Sequence, residues 1–209
     1  MAHKFDEVIS SRERLREVMG MPNHRVASKV IDHIDDICRR FIAASPFAVI
    51  ATRGKDGRLD QSPKGDPAGF VTVLDNQTLA IPDRMGNNRI DTFENVLANT
   101  EVGLIFIIPG YGYTLRVSGS GVIVRDEGLQ KRLAVHGREP KLVLVVTVQE
   151  AFMHCAKCMA RSNLWQPEKW PDLTNVPSLA EAMVAHAKLS LSHGQMQAII
   201  DDSFKNRMY

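Results

Sequence analysis

The sequence predicts a mainly β chain, an antiparallel six-stranded barrel with flanking helices. Three observations carry this. Six short runs rich in Val, Ile, Leu and Thr recur at 47–52, 70–74, 78–81, 102–108, 114–124 and 142–148. Turn residues separate them: Gly54-Lys55-Asp56-Gly57, Gly65-Asp66-Pro67, Asp75-Asn76-Gln77 and Pro109-Gly110. A single helical stretch interrupts the series before its longest runs. Strands at this pitch favour an antiparallel barrel over a doubly wound sheet, which needs a helix after each strand.

The elements follow in chain order. Val30, Ile31, Ile34, Ile37, Cys38, Phe41 and Ile42 recur at helical spacing and predict a helix over 30–42. Ser45-Pro46 ends it, because the residue before proline resists the helical region. The inserted helix is expected over 88–98, with Ile90, Phe93 and Leu97 on one face. A weaker helical stretch covers 127–135, and two more helices over 179–190 and 195–205 close the chain, parted near His193-Gly194. Repeats and low-complexity linkers are lacking, so 1–209 reads as a single domain. Its parts are an N-terminal helical segment (1–44), a barrel core (45–165) and a C-terminal helical extension (166–209).

The 209 residues are 44% hydrophobic, 24% charged and 6% aromatic. Lys and Arg exceed Asp and Glu by two, and the first 45 residues hold eight bases against seven acids. This balance argues against a nucleic-acid partner. The apolar runs are too short to span a bilayer, and Met1-Ala2-His3-Lys4-Phe5 carries no apolar signal core, so a cytoplasmic location is expected. Three cysteines do not make a disulfide framework.

Four stretches could carry chemistry. Pro82-Asp83-Arg84-Met85-Gly86-Asn87-Asn88-Arg89 follows a strand and opens a helix. Free amides at a helix start favour anions, and Arg84 and Arg89 add positive charge. Gly86 would let backbone approach a ligand, and Asn87 or Asn88 suits the N-cap. The stretch reads as a phosphate site or as a capped helix with solvated arginines. Gln61-Ser62-Pro63-Lys64-Gly65-Asp66-Pro67 reads as a rim or an ordinary turn. His154-Cys155-Ala156-Lys157-Cys158 lacks a second Cys-x-x-Cys, so no metal site is expected. Arg161-Ser162-Asn163-Leu164-Trp165 reads as the edge of an aromatic-ligand site or as a surface loop. The remaining histidines, at 3, 24, 33, 136, 186 and 193, show no metal-ligand spacing, and Walker A, dinucleotide and nucleophile-elbow motifs are lacking.

In order and spacing, the chain from about Phe41 to Trp165 resembles the pyridoxamine 5′-phosphate oxidase-like family of FMN-binding split barrels. The markers are Ser62-Pro63-Lys64-Gly65-Asp66, then Leu79 to Arg89 with its Gly86-Asn87-Asn88-Arg89, then Asn95-Val96-Leu97-Ala98-Asn99, and Thr114-Leu115-Arg116-Val117-Ser118-Gly119. The resemblance implies a homodimer that holds two FMN molecules at the subunit interface. Ser62, Pro63 and Lys64 would run along the isoalloxazine, and Asp83, Arg84, Asn88 and Arg89 would serve the ribityl phosphate. Thr114 and Arg116 would come from the partner subunit, and Arg161, Ser162 and Trp165 would close over the flavin edge. It implies an FMN-dependent oxidoreductase acting on a small molecule, with oxygen or a second substrate as acceptor. The flavin would carry the chemistry, so no protein nucleophile is needed. True pyridoxamine phosphate oxidases end in a Trp and an Arg-Leu-His-Asp-Arg-like segment, where this chain has Phe204-Lys205-Asn206-Arg207-Met208-Tyr209. A related subfamily is therefore the nearer match. Two alternatives share the fold: a flavin or haem binding or sensor module without turnover, with His154 beside Cys155 as the first axial-ligand candidate, and a deazaflavin-dependent reductase.

Overall fold

The computed structural model describes residues 4–208; Met1, Ala2, His3 and Tyr209, which bear on the signal-core and chain-end readings, lie outside them. The chain divides into two compact units, Met1–Val30 and Ile31–Tyr209. The first holds α1 (Arg12–Met19) and α2 (His24–Ala27), and neither helix buries a residue. Ser11 caps α1 by accepting from the Arg14 amide, and the Arg14 guanidinium bridges Glu7 and Glu17.

The second unit begins with a strand-like contact where the apolar spacing predicted helix. Ile31 exchanges backbone hydrogen bonds with Ala151, and the Ile34 amide donates to the Asn76 carbonyl. The helix, α3 (Asp36–Ala44), starts six residues later than expected, because the extended Asp35 accepts from the Cys38 amide and fixes the first turn there. The stripe still reaches the core through Ile34, Cys38, Phe41 and Ile42, all buried. Burial and the neighbouring Asp35 push the Cys38 thiol up to about 12, so it packs as an uncharged group. Ser45 ends α3, and its hydroxyl lies 2.9 Å from the carbonyls of both Phe47 and Ile107.

One antiparallel sheet forms the body of this unit. Its strands are β1 (Phe47–Arg53), β2 (Leu59–Gly65), β3 (Thr72–Val73), β4 (Thr78–Pro82), β5 (Glu101–Ile107), β6 (Thr114–Val124) and β7 (Val143–His154). They lie in the order β2-β1-β5-β6-β7-β4-β3. The sheet therefore has seven strands where six were expected, and among the described residues it stays open between β2 and β3. The strand missed in the sequence is β2, Leu-Asp-Gln-Ser-Pro-Lys-Gly. It lies at an edge and pairs only with β1, with Pro63 opposite Val49. An edge strand tolerates a proline and needs little apolar alternation, so its sequence reads as a rim. The turn before it closes through Gly57, at φ 83°, where a side chain would strain the backbone.

The last strand runs to His154 rather than stopping near Val148, paired along β6 with a register shift at Ser118/Gly119. α4 (Asp91–Ala98) packs near β1 and β6, and its Val96 joins the core. Phe106, Leu79, Leu115, Val146 and Ala48 sit at or near zero exposure in the same cluster. Each of the larger of these, Phe106, Leu79, Leu115 and Val146, contributes about 1.5–3 kcal/mol by leaving water.

α5 (Glu127–Arg132) is capped by Asp126 and ends before Val135, short of the expected boundary. The chain then turns back on itself through His136 and Gly137, both at positive φ, closed by hydrogen bonds between Val135 and Arg138. Beyond the sheet come α6 (Lys157–Arg161), a 3-10 turn at Pro167–Lys169, α7 (Leu179–His186) and α8 (His193–Asn206). Ser192 and Gln195 form a capping box on α8. No helix among the described residues is long and apolar enough to cross a membrane.

Candidate functional site

A cavity of about 490 Å³ opens between β2, the loop after β4, the start of α4 and the turn after α5. β2 supplies its most regular wall. Alternate residues of a strand share a face, so Asp60, Ser62 and Lys64 form one half-buried row, while Leu59, Gln61, Pro63 and Gly65 are exposed. The row passes from a carboxylate through a hydroxyl to an ammonium.

The loop after β4 is the stretch the sequence singled out. Asp83, Arg84, Met85, Gly86, Asn87, Asn88 and Arg89 all line the cavity. Their hydrogen bonds differ from the simplest expectation. The Asp83 amide is already used, donating to the Leu142 carbonyl at 3.0 Å. The Arg84 guanidinium turns inward to the buried Asp66 carboxylate and to the Leu133 carbonyl. Arg89 pairs with Asp91 at 2.7 Å on an exposed edge. That hydrogen bond, aided by the charges of Asp91 and Asp60, holds the guanidinium above its ordinary pKa and holds Asp91 below the usual carboxylate range.

The expected asparagine N-cap is not what the structure shows. Asn87 Oδ1 instead accepts from the Arg89 amide, folding the loop back on itself, and Asn88 adopts φ 58°. The N-cap of α4 is Ile90, left-handed at φ 53° with no side-chain cap. A β-branched residue rarely occupies that region, so the surrounding loop must hold it there. Ile90, Asp91 and Thr92, at the start of the helix, line the cavity, and Ile90 supplies no side-chain cap.

The fourth wall was not foreseen. The turn after α5 brings Arg138, Glu139, Pro140 and Lys141 to the cavity. Among the described residues no carboxylate forms an ion pair with Lys64, Arg138 or Lys141, in contrast with Arg84 and Arg89. Asp83 lies among these cations. Burial pushes its pKa above the ordinary carboxylate value, against the opposing pull of Lys64, Lys141 and Arg84. A group that keeps its proton longer when folded stabilises the chain below its unfolded pKa and loses that contribution as pH rises through the folded value. The contribution of Asp83 should therefore be lost as pH rises above about 4, so the stability of wild type relative to Asp83→Asn should fall over that range. Urea midpoints of both proteins across this pH range check it; parallel slopes would remove the assignment.

Of the twelve residues predicted for the site, Ser62, Pro63, Lys64, Asp83, Arg84, Asn88 and Arg89 come together around this cavity. Thr114, Arg116, Arg161, Ser162 and Trp165 do not line it. Thr114 is buried in β6, and the Arg116 guanidinium lies 5.0 Å from the centre of the Phe152 ring. The Ser162 hydroxyl donates to the Met159 carbonyl, and the Trp165 indole donates to the Tyr111 carbonyl at 3.0 Å. Cys155 and Cys158 are exposed free thiols, and among the described residues no His or Cys lines the cavity. Asp60, Arg138 and Lys141 are among the lining residues that sequence reasoning missed. The Gly137 turn between two charged stretches was the available signal for the last two.

The architecture is thus an open antiparallel sheet with a polar, cation-bearing cavity beside its edge strand. The chain belongs to the pyridoxamine 5′-phosphate oxidase family, whose model matches residues 34–155. That match spans α3 to β7 and includes every residue around the cavity. Among solved structures, HupZ of Group A Streptococcus is 19% identical, covers 57% of this chain and 93% of that chain, and has a TM-score of 0.49. General Stress Protein 26 of Bacillus anthracis is 12% identical over 55% of this chain and 88% of that one, at a TM-score of 0.42. An F420 reductase is 17% identical over 54% of this chain and 93% of that one, at 0.40. No curated protein matches the chain.

Proposed function

We propose that this protein is an FMN-dependent oxidoreductase acting on a small molecule. The observation that carries the reading is the cavity itself. One wall is the polar row of β2, another is the start of α4, and Lys64, Arg138 and Lys141, which form no ion pair among the described residues, line the space. The residues present fit a flavin mononucleotide. A dianionic phosphate needs cations and amide donors, which Lys64, Arg138, Lys141 and the first amides of α4 offer. A polar chain needs hydroxyls and acceptors, which Ser62 and Asp60 offer. When bound, FMN supplies hydride and electron transfer between a reduced small molecule and oxygen or a second acceptor.

The protein's own contribution is to bind and orient. Arg84 does not reach for the ligand; it ties the loop to Asp66 and to the end of α5, which fixes the two walls relative to each other. Lys64 supplies the unpaired charge on β2. Asp83 stands beside Lys64 and Lys141, its pKa raised by burial against the pull of these cations and Arg84. The reading includes a homodimer, in which Thr114 and Arg116 come to each flavin from the partner subunit and Arg161, Ser162 and Trp165 close over the flavin edge.

Lys64→Ala tests the anion-binding wall. A charge-assisted hydrogen bond contributes about 1.5–3 kcal/mol, so FMN affinity should fall about ten- to a hundredfold, with little change for lumiflavin, which lacks the phosphate. Equal affinity of wild type and variant for FMN in a fluorescence-quenching titration would take Lys64 out of the site.

A further inference from the structure

Cys155 and Cys158 are exposed free thiols in the segment that follows β7, whereas Cys38 is buried in the core with its thiol pushed up to about 12. Between the exposed pair, Ala156 has φ −76° and ψ 0°, and Lys157 opens α6, so a single right-handed turn joins the two cysteines. Three residues along such a turn the Cα atoms stand about 5 Å apart, inside the roughly 4.4–6.8 Å that a disulfide spans. The loop between β5 and β6 holds this turn in place. Ala156 is half-buried, and its methyl lies only 3.0 Å from where a Cβ on Gly112 would stand, so it rests against bare glycine backbone. Further along the segment, the Trp165 indole donates to the carbonyl of Tyr111, the neighbour of Gly112. The residue between the cysteines is thus packed, while the cysteines on either side are exposed. Among the described residues no third His, Cys, Asp or Glu gathers with them into a group that could hold a metal.

We propose that Cys155 and Cys158 are a thiol-exchange site, a dithiol that low-molecular-weight disulfides convert reversibly into an intrachain disulfide. The inference stands apart from the flavin reading, because neither cysteine lines the cavity. Both are exposed, so either can open the reaction. Its thiolate attacks one sulfur of the small disulfide, forms a mixed disulfide and expels the first small thiolate. The second cysteine, also as thiolate, then attacks the protein sulfur of that mixed bond and expels the second small thiolate. In sum, two protein thiols lose two electrons and two protons, and one small disulfide takes them up as two thiols. The fixed turn favours the second step, because the resolving thiol is already within bonding reach and the backbone need not move. Exposure keeps the product open to the reverse attack, as exposed disulfides are the exchangeable ones. Buried Cys38 takes no part, since neither a small disulfide nor the other thiols reach it and it stays uncharged.

The experiment incubates the reduced full-length protein, Cys155→Ser and Cys158→Ser with excess oxidised glutathione, alkylates the remaining thiols and maps the peptides by mass. In wild type, the peptide that holds both cysteines should be two hydrogens lighter, free of glutathione and closed to alkylation, and dithiothreitol should restore both thiols. Each single variant lacks the resolving thiol and should stop at the mixed disulfide. Wild type should therefore carry at least about tenfold less bound glutathione than either variant. Cys38 should take up the alkylating reagent only after unfolding. Melting of the two wild-type forms reads the geometry independently: the oxidised form should melt no lower than the reduced one, because the turn already has the closed shape. Glutathione retained on both cysteines of wild type would mean that the pair cannot close, and would overturn the proposal. So would thiols that stay open to alkylation, a disulfide between two chains, or a lower melting temperature on oxidation.

Discussion

Asp66→Ala should destabilise the protein by about 3–5 kcal/mol, the largest effect expected of any single change near the cavity. The Asp66 side chain is 1% exposed and that of Arg84 is 19% exposed, so the pair sits out of bulk water. Arg84 Nε donates to Asp66 and Arg84 Nη2 donates to the Leu133 carbonyl at 2.9 Å, so one guanidinium joins the end of β2, the loop after β4 and the end of α5. Removing the carboxylate leaves a desolvated cation with one neutral acceptor, and such a charge costs more than the pair itself contributed. Asp66→Asn keeps one acceptor and should cost less. The double variant Asp66→Leu with Arg84→Met removes both charges together and should recover much of the loss. Urea unfolding of the four proteins measures this, and a loss below about 1 kcal/mol for Asp66→Ala would show that the pair is solvated and structurally idle. The cavity should loosen with the fold, because the same guanidinium holds two of its walls.

Gly119→Ala should cost about 3 kcal/mol or more, or prevent folding altogether. Gly119 sits at the register shift between β6 and β7. A Cβ built there would lie 2.0 Å from the Thr147 carbonyl oxygen and 2.9 Å from its carbon, atoms of backbone rather than of a side chain that could rotate away. Thr147 is held on both sides, facing Ser120 on β6 and Thr78 on β4, so the clash must be relieved by moving the sheet itself. Gly103→Ala on β5 is the control, since its new Cβ would meet only the Ala51 methyl at 3.8 Å, an ordinary contact. Gly103→Ala should be neutral or slightly stabilising, as a strand glycine has excess unfolded-state freedom. Equal stabilities of the two variants would mean that the bulge does not constrain this position.

What the sequence disclosed and what it hid divide along physical lines. β1, β5 and β6 are strongly apolar and β-branched, and their burial follows from that composition alone. β2 is a strand because it pairs with β1 at an edge, and Asp60, Ser62, Pro63 and Lys64 carry no periodic signal for it. The apolar spacing at 30–42 named the right buried residues but not their conformation, because Asp35 starts the helix and Ile31 joins Ala151, a partner 120 residues away. Asn87 has the chemistry of an N-cap, yet its oxygen takes the Arg89 amide and Ile90 is left to open α4. For the site, the loop at 82–89 was legible because helix starts, glycine and arginine share one short stretch. Arg138 and Lys141 reach the same cavity through a turn some fifty residues later, and no local pattern links them to Lys64. Asp60 joined the site only once β2 was seen to place it on one face with Ser62 and Lys64.

The most direct test of the account is the visible spectrum of the purified protein, followed by the mass of the ligand released on denaturation. Flavin absorption bands and the mass of FMN, or restoration of both when the colourless protein is incubated with FMN, are the predicted result. A colourless protein that takes up no FMN would contradict it.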